Sequence, residues 1–356
     1  MGTAGGGLML RIAVDTTPLL GGHARRGIGT YTRELLAALE QEPIELTRIT
    51  KRRTIQGSEF DLIHYPYFDL FSPSLRLHKK IPCVVTIHDL IPLQFPDQYK
   101  PGLRGRLALL RQKRQIQKVL QVITDSEFSK QQIVEYLSLN PEQISVIPLA
   151  GNPQLVRQSD AKISAIVAKY KLPQKFLLYV GDINYNKNIP QLLKMLKFLP
   201  DEISLICVGK NFVPQPIPEW EAIERQIALS NVATRVQFVT EITAEKTNDL
   251  AAVYSGSICL VQPSLSEGFG LPVLEAMQCG VPIVCANRGS LPEVGGKLAF
   301  YAEPTAESLA EQVLLVIELS KKVREGLVAQ GKAWSQTFTW QKTAQLTVSA
   351  YKKALA

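Results

Sequence analysis

Short apolar runs alternate along this chain with stretches in which Leu, Ile or Ala returns every three or four positions. The runs suit strands buried on both faces, and the periodic stretches suit amphipathic helices. In the first half, strands are expected at residues 10–15, 44–49, 62–64, 84–88, 122–125 and 144–148, with helices at 30–39, 103–120 and 129–137. A glycine-rich loop, residues 21–29, separates the first strand from the first helix. Such alternation implies a parallel sheet covered on both faces. The periodicity lapses over residues 150–158 into Gly, Asn, Pro and polar types, which reads as an interdomain linker. It then restarts, with strands at 176–180, 203–208, 236–239, 257–261 and 282–286 and helices at 189–196, 219–228, 243–253 and 272–279. The last helical stretch, 340–355, follows a completed second sheet and is expected to return to the first domain. The prediction is α/β: two doubly wound, Rossmann-like domains, residues 10–152 and 153–338, facing across a cleft, with 339–356 packing back. Residues 1–9 read as a disordered tail or an expression scar.

Composition narrows the class. The 356 residues are enough for two domains at ~150 each. With 46% apolar and 20% charged residues, disorder, collagen and coiled coil are excluded. Apolar runs such as 176–180 and 258–261 fall far short of the ~20 residues that span a bilayer. The first ten residues carry no basic or apolar leader pattern, so no secretory signal is expected. Five cysteines, without a C-x-x-C and mostly in apolar runs, read as small core residues in a reducing, cytoplasmic setting.

Forty basic against 32 acidic residues give +8, which favours an anionic partner. Residues 100–118 concentrate this charge in Lys100, Arg104, Arg106, Arg111, Lys113, Arg114 and Lys118, interleaved with Leu103, Leu107 and Leu110. Two readings stay open: a basic amphipathic helix in peripheral contact with an anionic membrane, or a solvated helix whose leucines pack on the first sheet. The Lys51, Arg52, Arg53 cluster is a weaker candidate. No zinc or aromatic RNP pattern accompanies the charge, so no nucleic-acid partner is expected.

The stretch Pro-Ser-Leu-Ser-Glu-Gly-Phe-Gly-Leu-Pro-Val-Leu-Glu-Ala, residues 263–276, carries the chemistry. It reads as a strand end, a glycine loop and a helix start. Gly268 and Gly270 let the backbone approach a ligand, Pro272 suits a first helical turn, and the helix N-terminus favours an anion. Glu267 and Glu275 can accept hydrogen bonds from different hydroxyls of one extended ligand. An anionic linker between hydroxyl-bearing rings describes a nucleotide sugar.

Glu267 and Glu275, with seven residues between them in the SEGFGLPVLEAMQCGVPIV context, resemble the signature of the family 4 retaining glycosyltransferases of GT-B fold, including cell-envelope polysaccharide enzymes. The resemblance runs from the first glycine loop to the terminal FTW. It implies that Glu275 binds the ribose hydroxyls and that Glu267 lies near the donor sugar. It also implies that the backbone of Gly268, Phe269, Gly270 and Leu271 holds sugar hydroxyls and phosphate. The turn at Gly27 and Gly29, with Gly181 and Lys187, would approach the diphosphate, and His88 of the HD pair would stand beside the reacting sugar. His88, Glu267 and Lys187 are the expected catalytic positions.

One position departs from the family pattern. Asp182 and Asn186 stand where an arginine is often found, which leaves Lys187 as the expected side-chain cation. No D-x-D and no metal-ligand spacing occurs, so a metal-independent reaction without cofactor is expected. The reading is a retaining hexosyltransferase, acting from a UDP-sugar, with UDP-glucose preferred, on a glycan or lipid-linked glycan acceptor. Its alternatives are a GDP-mannose-dependent mannosyltransferase and a nucleotide-sugar-binding protein with little catalysis; a sugar-nucleotide epimerase fits the Glu267 context less well.

Overall fold

The structure, a computed structural model, describes residues 9–20, 27–50, 59–75, 77–242 and 246–356. The tail before Met9, most of the first glycine loop and the Lys51 to Arg53 cluster lie outside the described residues. The chain divides into two compact units, residues 1–149 with 339–356 and residues 150–338.

The first unit is built on β1 (Leu10–Asp15), β2 (Ile44–Ile49), β3 (Leu62–Tyr65), β4 (Cys83–Thr86), β5 (Gln121–Thr124) and β6 (Ile144–Val146). All pair in parallel, in the order β2-β1-β3-β4-β5-β6. β3, β4 and β5 are buried along their whole length, which explains why their sequences are apolar runs rather than alternating ones. Helices α1 (Gly27–Leu39), α2 (Ile91–Gln94), α3 (Leu103–Ile116) and α4 (Glu127–Leu137) connect the strands. Ser126 caps α4, its hydroxyl accepting from the Ser129 N–H at 3.0 Å.

The second unit contains α5 (Asp160–Lys169), β7 (Phe176–Val180), α6 (Ile189–Met195), β8 (Ser204–Val208), α7 (Pro218–Ser230) and β9 (Val236–Val239). It continues with α8 (Thr247–Gly256), β10 (Leu260–Gln262), α9 (Leu271–Gln278), β11 (Ile283–Ala286), α10 (Leu291–Gly295), β12 (Phe300–Ala302), α11 (Ala306–Ile317) and α12 (Lys321–Ser335). Its sheet is again parallel, in the order β12-β11-β10-β7-β8-β9. The chain winds one way from β7 and the other way from β10, so the crevice where ligands of open α/β sheets bind falls at the carboxyl ends of these two strands. The final helix, α13 (Trp340–Leu355), belongs to the first unit and packs there against α1, β4 and β5. The Thr343 hydroxyl donates to the Pro148 carbonyl at 2.8 Å, and Tyr351 is fully buried.

Several boundaries move. Gly27 and Gly29 are already helical, within α1, rather than a turn ahead of a helix at Thr30. α3 ends at Ile116, four residues early. α8 spans Thr247–Gly256, while residues 243–245 at the expected start lie outside the described residues. α2, α5, β12, α10, α11 and α12 occupy stretches where no element was expected. The five cysteines are buried and unpaired. Among the described residues, no helix is long and apolar enough to cross a membrane.

Candidate functional site

The carboxyl ends of β7 and β10 bring Lys187 and Glu267 together. β7 continues through Gly181 into a single helical turn, Tyr185–Lys187, that ends at Asn188 with φ +57°. The Asn188 side-chain amide fixes that turn by donating to the carbonyls of Pro263 and Pro304 at 3.1 and 2.9 Å. Asn186 donates its amide to the Ser266 carbonyl at 2.9 Å, and its own carbonyl accepts from the Leu265 N–H at 2.8 Å. Lys187 Nζ then reaches both carboxylate oxygens of Glu267, at 2.7 and 2.8 Å.

Glu267 is buried and fully engaged. Besides Lys187, its Oε1 accepts from Ser264 Oγ at 2.7 Å and from Gln262 Nε2 at 2.9 Å. Burial pushes this carboxyl up, but the Lys187 charge and the hydrogen bonds from Lys187, Ser264 and Gln262 outweigh it and hold the group below its ordinary value. Its backbone is clamped as well, since Ser290 Oγ donates toward the carbonyls of Glu267 and Phe269 at 2.9 and 2.7 Å. Gly289 makes the clamp feasible: at φ +60°, a Cβ there would stand 2.8 Å from the Glu267 nitrogen.

The loop ends at Gly270, whose φ of +105° favours glycine and turns the chain into α9. Pro272 lies in the first turn, no side chain caps the helix, and the dipole end therefore faces the loop uncovered by a capping group. Glu275 lies one turn in, half-buried, and accepts from Tyr254 Oη at 2.9 Å. Burial pushes its carboxyl up to about 7, against the Tyr254 hydrogen bond. The two acids of the motif thus occupy opposite electrostatic settings eight positions apart.

The positions with no arginine serve other ends. Asp182 Oδ1 accepts from the Asn211 amide at 2.6 Å and from the Ile183 N–H at 2.8 Å. Arg288, whose neighbour Gly289 packs on Glu267, sends its guanidinium to Glu303 at 2.6 Å instead. A side chain at Gly181 would collide with the Tyr179 hydroxyl at 2.6 Å.

His88 belongs to the first unit, two residues beyond β4. Its Nδ1 lies 2.8 Å from Oδ2 of the buried Asp125, at the carboxyl end of the adjacent β5. Burial lowers the His88 pKa, but the Asp125 charge and hydrogen bond, with the Asp89 charge, raise it overall. The Tyr31 ring from α1 meets the imidazole edge-on at 4.6 Å. Behind it, His64 hydrogen-bonds through Nε2 to Thr86 at 2.8 Å and through Nδ1 to Tyr351 of α13 at 2.7 Å. Burial and the nearby His88 depress His64 to about 3, so it stays neutral.

Reasoning from sequence missed Asp125, Gln262, Ser264, Ser290 and Tyr254. Polar residues at the carboxyl ends of apolar strands were the available signal for Asp125, Gln262 and Ser264. Buried side-chain atoms without a hydrogen-bond partner include His88 Nε2, Asp125 Oδ1, Gln262 Oε1 and Ser266 Oγ. Native interiors leave few such groups. Tyr65 and Phe68 are core residues of the first unit. Among the described residues no cluster of three or more His, Cys, Asp or Glu could hold a metal.

Residues 162–334 match the family model described as Glycosyl transferases group 1, and residues 46–154 match Glycosyltransferase Family 4. The chain is 31% identical over 327 residues to the O-antigen chain mannosyltransferase B of Escherichia coli, covering 89% of this chain and 82% of that protein. It is 27% identical over 298 residues to the serotype-specific mannosyltransferase WbdA of Escherichia coli, covering 82% of this chain and 36% of the larger relative. A sucrose-phosphate synthase from Thermosynechococcus elongatus superposes with a TM-score of 0.74 at 20% identity, covering 96% of this chain and 98% of that one. The two parallel six-stranded units are those of the GT-B fold.

Proposed function

The chain belongs to glycosyltransferase family 4, and from that premise we propose that it transfers a mannosyl residue, with retention, from GDP-mannose to a hydroxyl of a growing cell-envelope glycan. That it is a glycosyltransferase acting on a nucleotide-sugar donor and a glycan acceptor follows from the family itself. The mannosyltransferase names of its relatives support mannose over the UDP-glucose preferred from sequence, and so favour the reading first held as the alternative.

The observation that carries the assignment is the partly buried Lys187–Glu267 pair at the β7/β10 crevice, with Glu275 one turn into α9. In the proposed reaction, Glu275 accepts from the ribose hydroxyls, while Lys187 and the start of α9 take up charge on the diphosphate. The bond from the sugar C1 to the diphosphate oxygen breaks, the acceptor oxygen bonds to C1 on the same face, and its proton passes to the departing phosphate. Glu267 orients Lys187 and the donor sugar. His88, held by Asp125, keeps a donor nitrogen for a sugar hydroxyl in the first unit. Gly181, Gly268, Phe269, Gly270 and Leu271 line the donor side with backbone.

The test is nucleotide release from a panel of GDP- and UDP-sugars in EDTA, without acceptor, for the wild type and Glu275→Ala. Release of GDP from GDP-mannose, lost in the variant, is expected. Release of UDP from UDP-glucose instead would return the donor to the first expectation, and binding without release from any donor would favour a nucleotide-sugar-binding protein.

A further inference from the structure

Helix α3 carries three of its four leucines on the wrong face for a core. Leu103, Leu107 and Leu110 are 80%, 68% and 57% exposed, whereas Gln112 and Ile116 on the opposite face are buried. At 100° per residue the three leucines fall within a stripe about 60° wide. Arg114 projects within that stripe, Arg104 and Arg111 flank it on one side, and Arg106 and Lys113 flank it on the other. The span 100–118 holds seven Lys or Arg and no Asp or Glu. The reading in which these leucines pack on the first sheet is therefore corrected: Leu109, Ile116 and Gln112 perform that task.

The helix is rigidly seated. Gln112 Nε2 donates to the Asp69 carbonyl at 2.7 Å and to Ser74 Oγ at 2.6 Å, so the face opposite the leucines is tied to the 66–75 loop. Gly105 lies close against Pro101 and Phe71, where an added Cβ would stand 2.8 Å from Pro101 Cβ. A fixed helix thus presents an apolar stripe edged on both sides by cations, and long arginine side chains can extend outward while the leucines enter an apolar layer.

We infer that α3 docks the first unit on an anionic phospholipid surface, with Leu103, Leu107 and Leu110 entering the headgroup boundary and the flanking arginines pairing with lipid phosphates. The occupant is chosen by charge complementarity. A second copy of this helix would set its five cations against five more, and an uncharged apolar partner would leave the arginines unpaired. This inference does not depend on the donor, the acceptor or the transfer reaction.

The experiment is co-sedimentation of the full chain with phosphatidylcholine vesicles and with vesicles that also contain phosphatidylglycerol, at physiological ionic strength. Wild type is expected to sediment only with the anionic vesicles. Arg111→Glu with Arg114→Glu should weaken that binding at least about thirtyfold, and Leu107→Ser with Leu110→Ser about a hundredfold. All these side chains are exposed, so both variants should keep the wild-type melting temperature. Wild type remaining in the supernatant would overturn the inference. So would a leucine variant that sediments like wild type, which would mean adsorption by charge alone. A wild type that self-associates through these leucines, shown by a dimer that the Leu107→Ser, Leu110→Ser chain no longer forms, would also overturn it, as would a soluble acidic protein that competes the chain off the vesicles without lipid dependence.

Discussion

Replacing Glu275 by Gln should make the second unit more stable and its donor binding weaker, and the two effects should separate with pH. Burial places the Glu275 pKa at about 7 against an ordinary 4.5. Below 4.5 the folded and unfolded chains are both protonated and the group contributes nothing. Between 4.5 and 7 the unfolded chain releases a proton that the folded one keeps, so stability falls as pH rises, and the full loss is reached above 7. At ~1.4 kcal/mol per pH unit this amounts to about 3 kcal/mol. Gln removes the charge and keeps an oxygen for the Tyr254 hydroxyl, now 2.9 Å from Oε2. For a unit of this size the melting temperature should rise by about 6–12 °C at pH 8, but by under about 3 °C at pH 5, where the carboxyl is already neutral when folded. Donor affinity at pH 8 should fall about 10- to 100-fold, the usual worth of hydrogen bonds to a charged acceptor. Scanning calorimetry at the two pH values, paired with titration of GDP-mannose, reads both. A Gln variant that melts with the wild type at pH 8, or gains as much at pH 5, would refute the electrostatic reasoning.

Two further perturbations probe the other groups. Lys187→Met leaves Glu267 buried with no cation and should cost about 3–5 kcal/mol; adding Glu267→Gln should restore most of it, and a single variant as stable as the wild type in thermal melts would show that Ser264 and Gln262 suffice. Asp125→Asn removes the charge that raises the His88 pKa, so the imidazole should titrate at lower pH in an NMR titration of its ring protons, and an unchanged midpoint would remove Asp125 as its cause.

Period and punctuation made most of the two sheets legible, because strands buried on both faces leave uninterrupted apolar runs and their connecting helices leave a different spacing. The loop at 268–271 was legible for a local reason: two glycines, a proline and two glutamates within one strand-to-helix crossing admit few other uses. The partners of those glutamates were not. Asp125 meets His88 because β4 and β5 pair with Thr86 opposite Ile123, and the same offset carried two residues further sets 88 opposite 125. Nothing local to either residue encodes that register. Tyr254 reaches Glu275 from a separate helix, and Ser290 reaches Glu267 from the far side of β11, so both depend on packing.

The leucines of α3 show a different limit. An apolar stripe at helical spacing fixes which side chains share a face, but it carries no sign that tells the core from the solvent. On α3 the sign came from two polar hydrogen bonds at Gln112, which turned a glutamine inward and three leucines outward. A buried glutamine with both donors occupied costs little, whereas three exposed leucines forgo about 1.5–3 kcal/mol each in water. A helix that accepts this loss while it gathers five cations and no acid, with Lys100 and Lys118 just beyond its ends, is built for a surface at which both features are satisfied together.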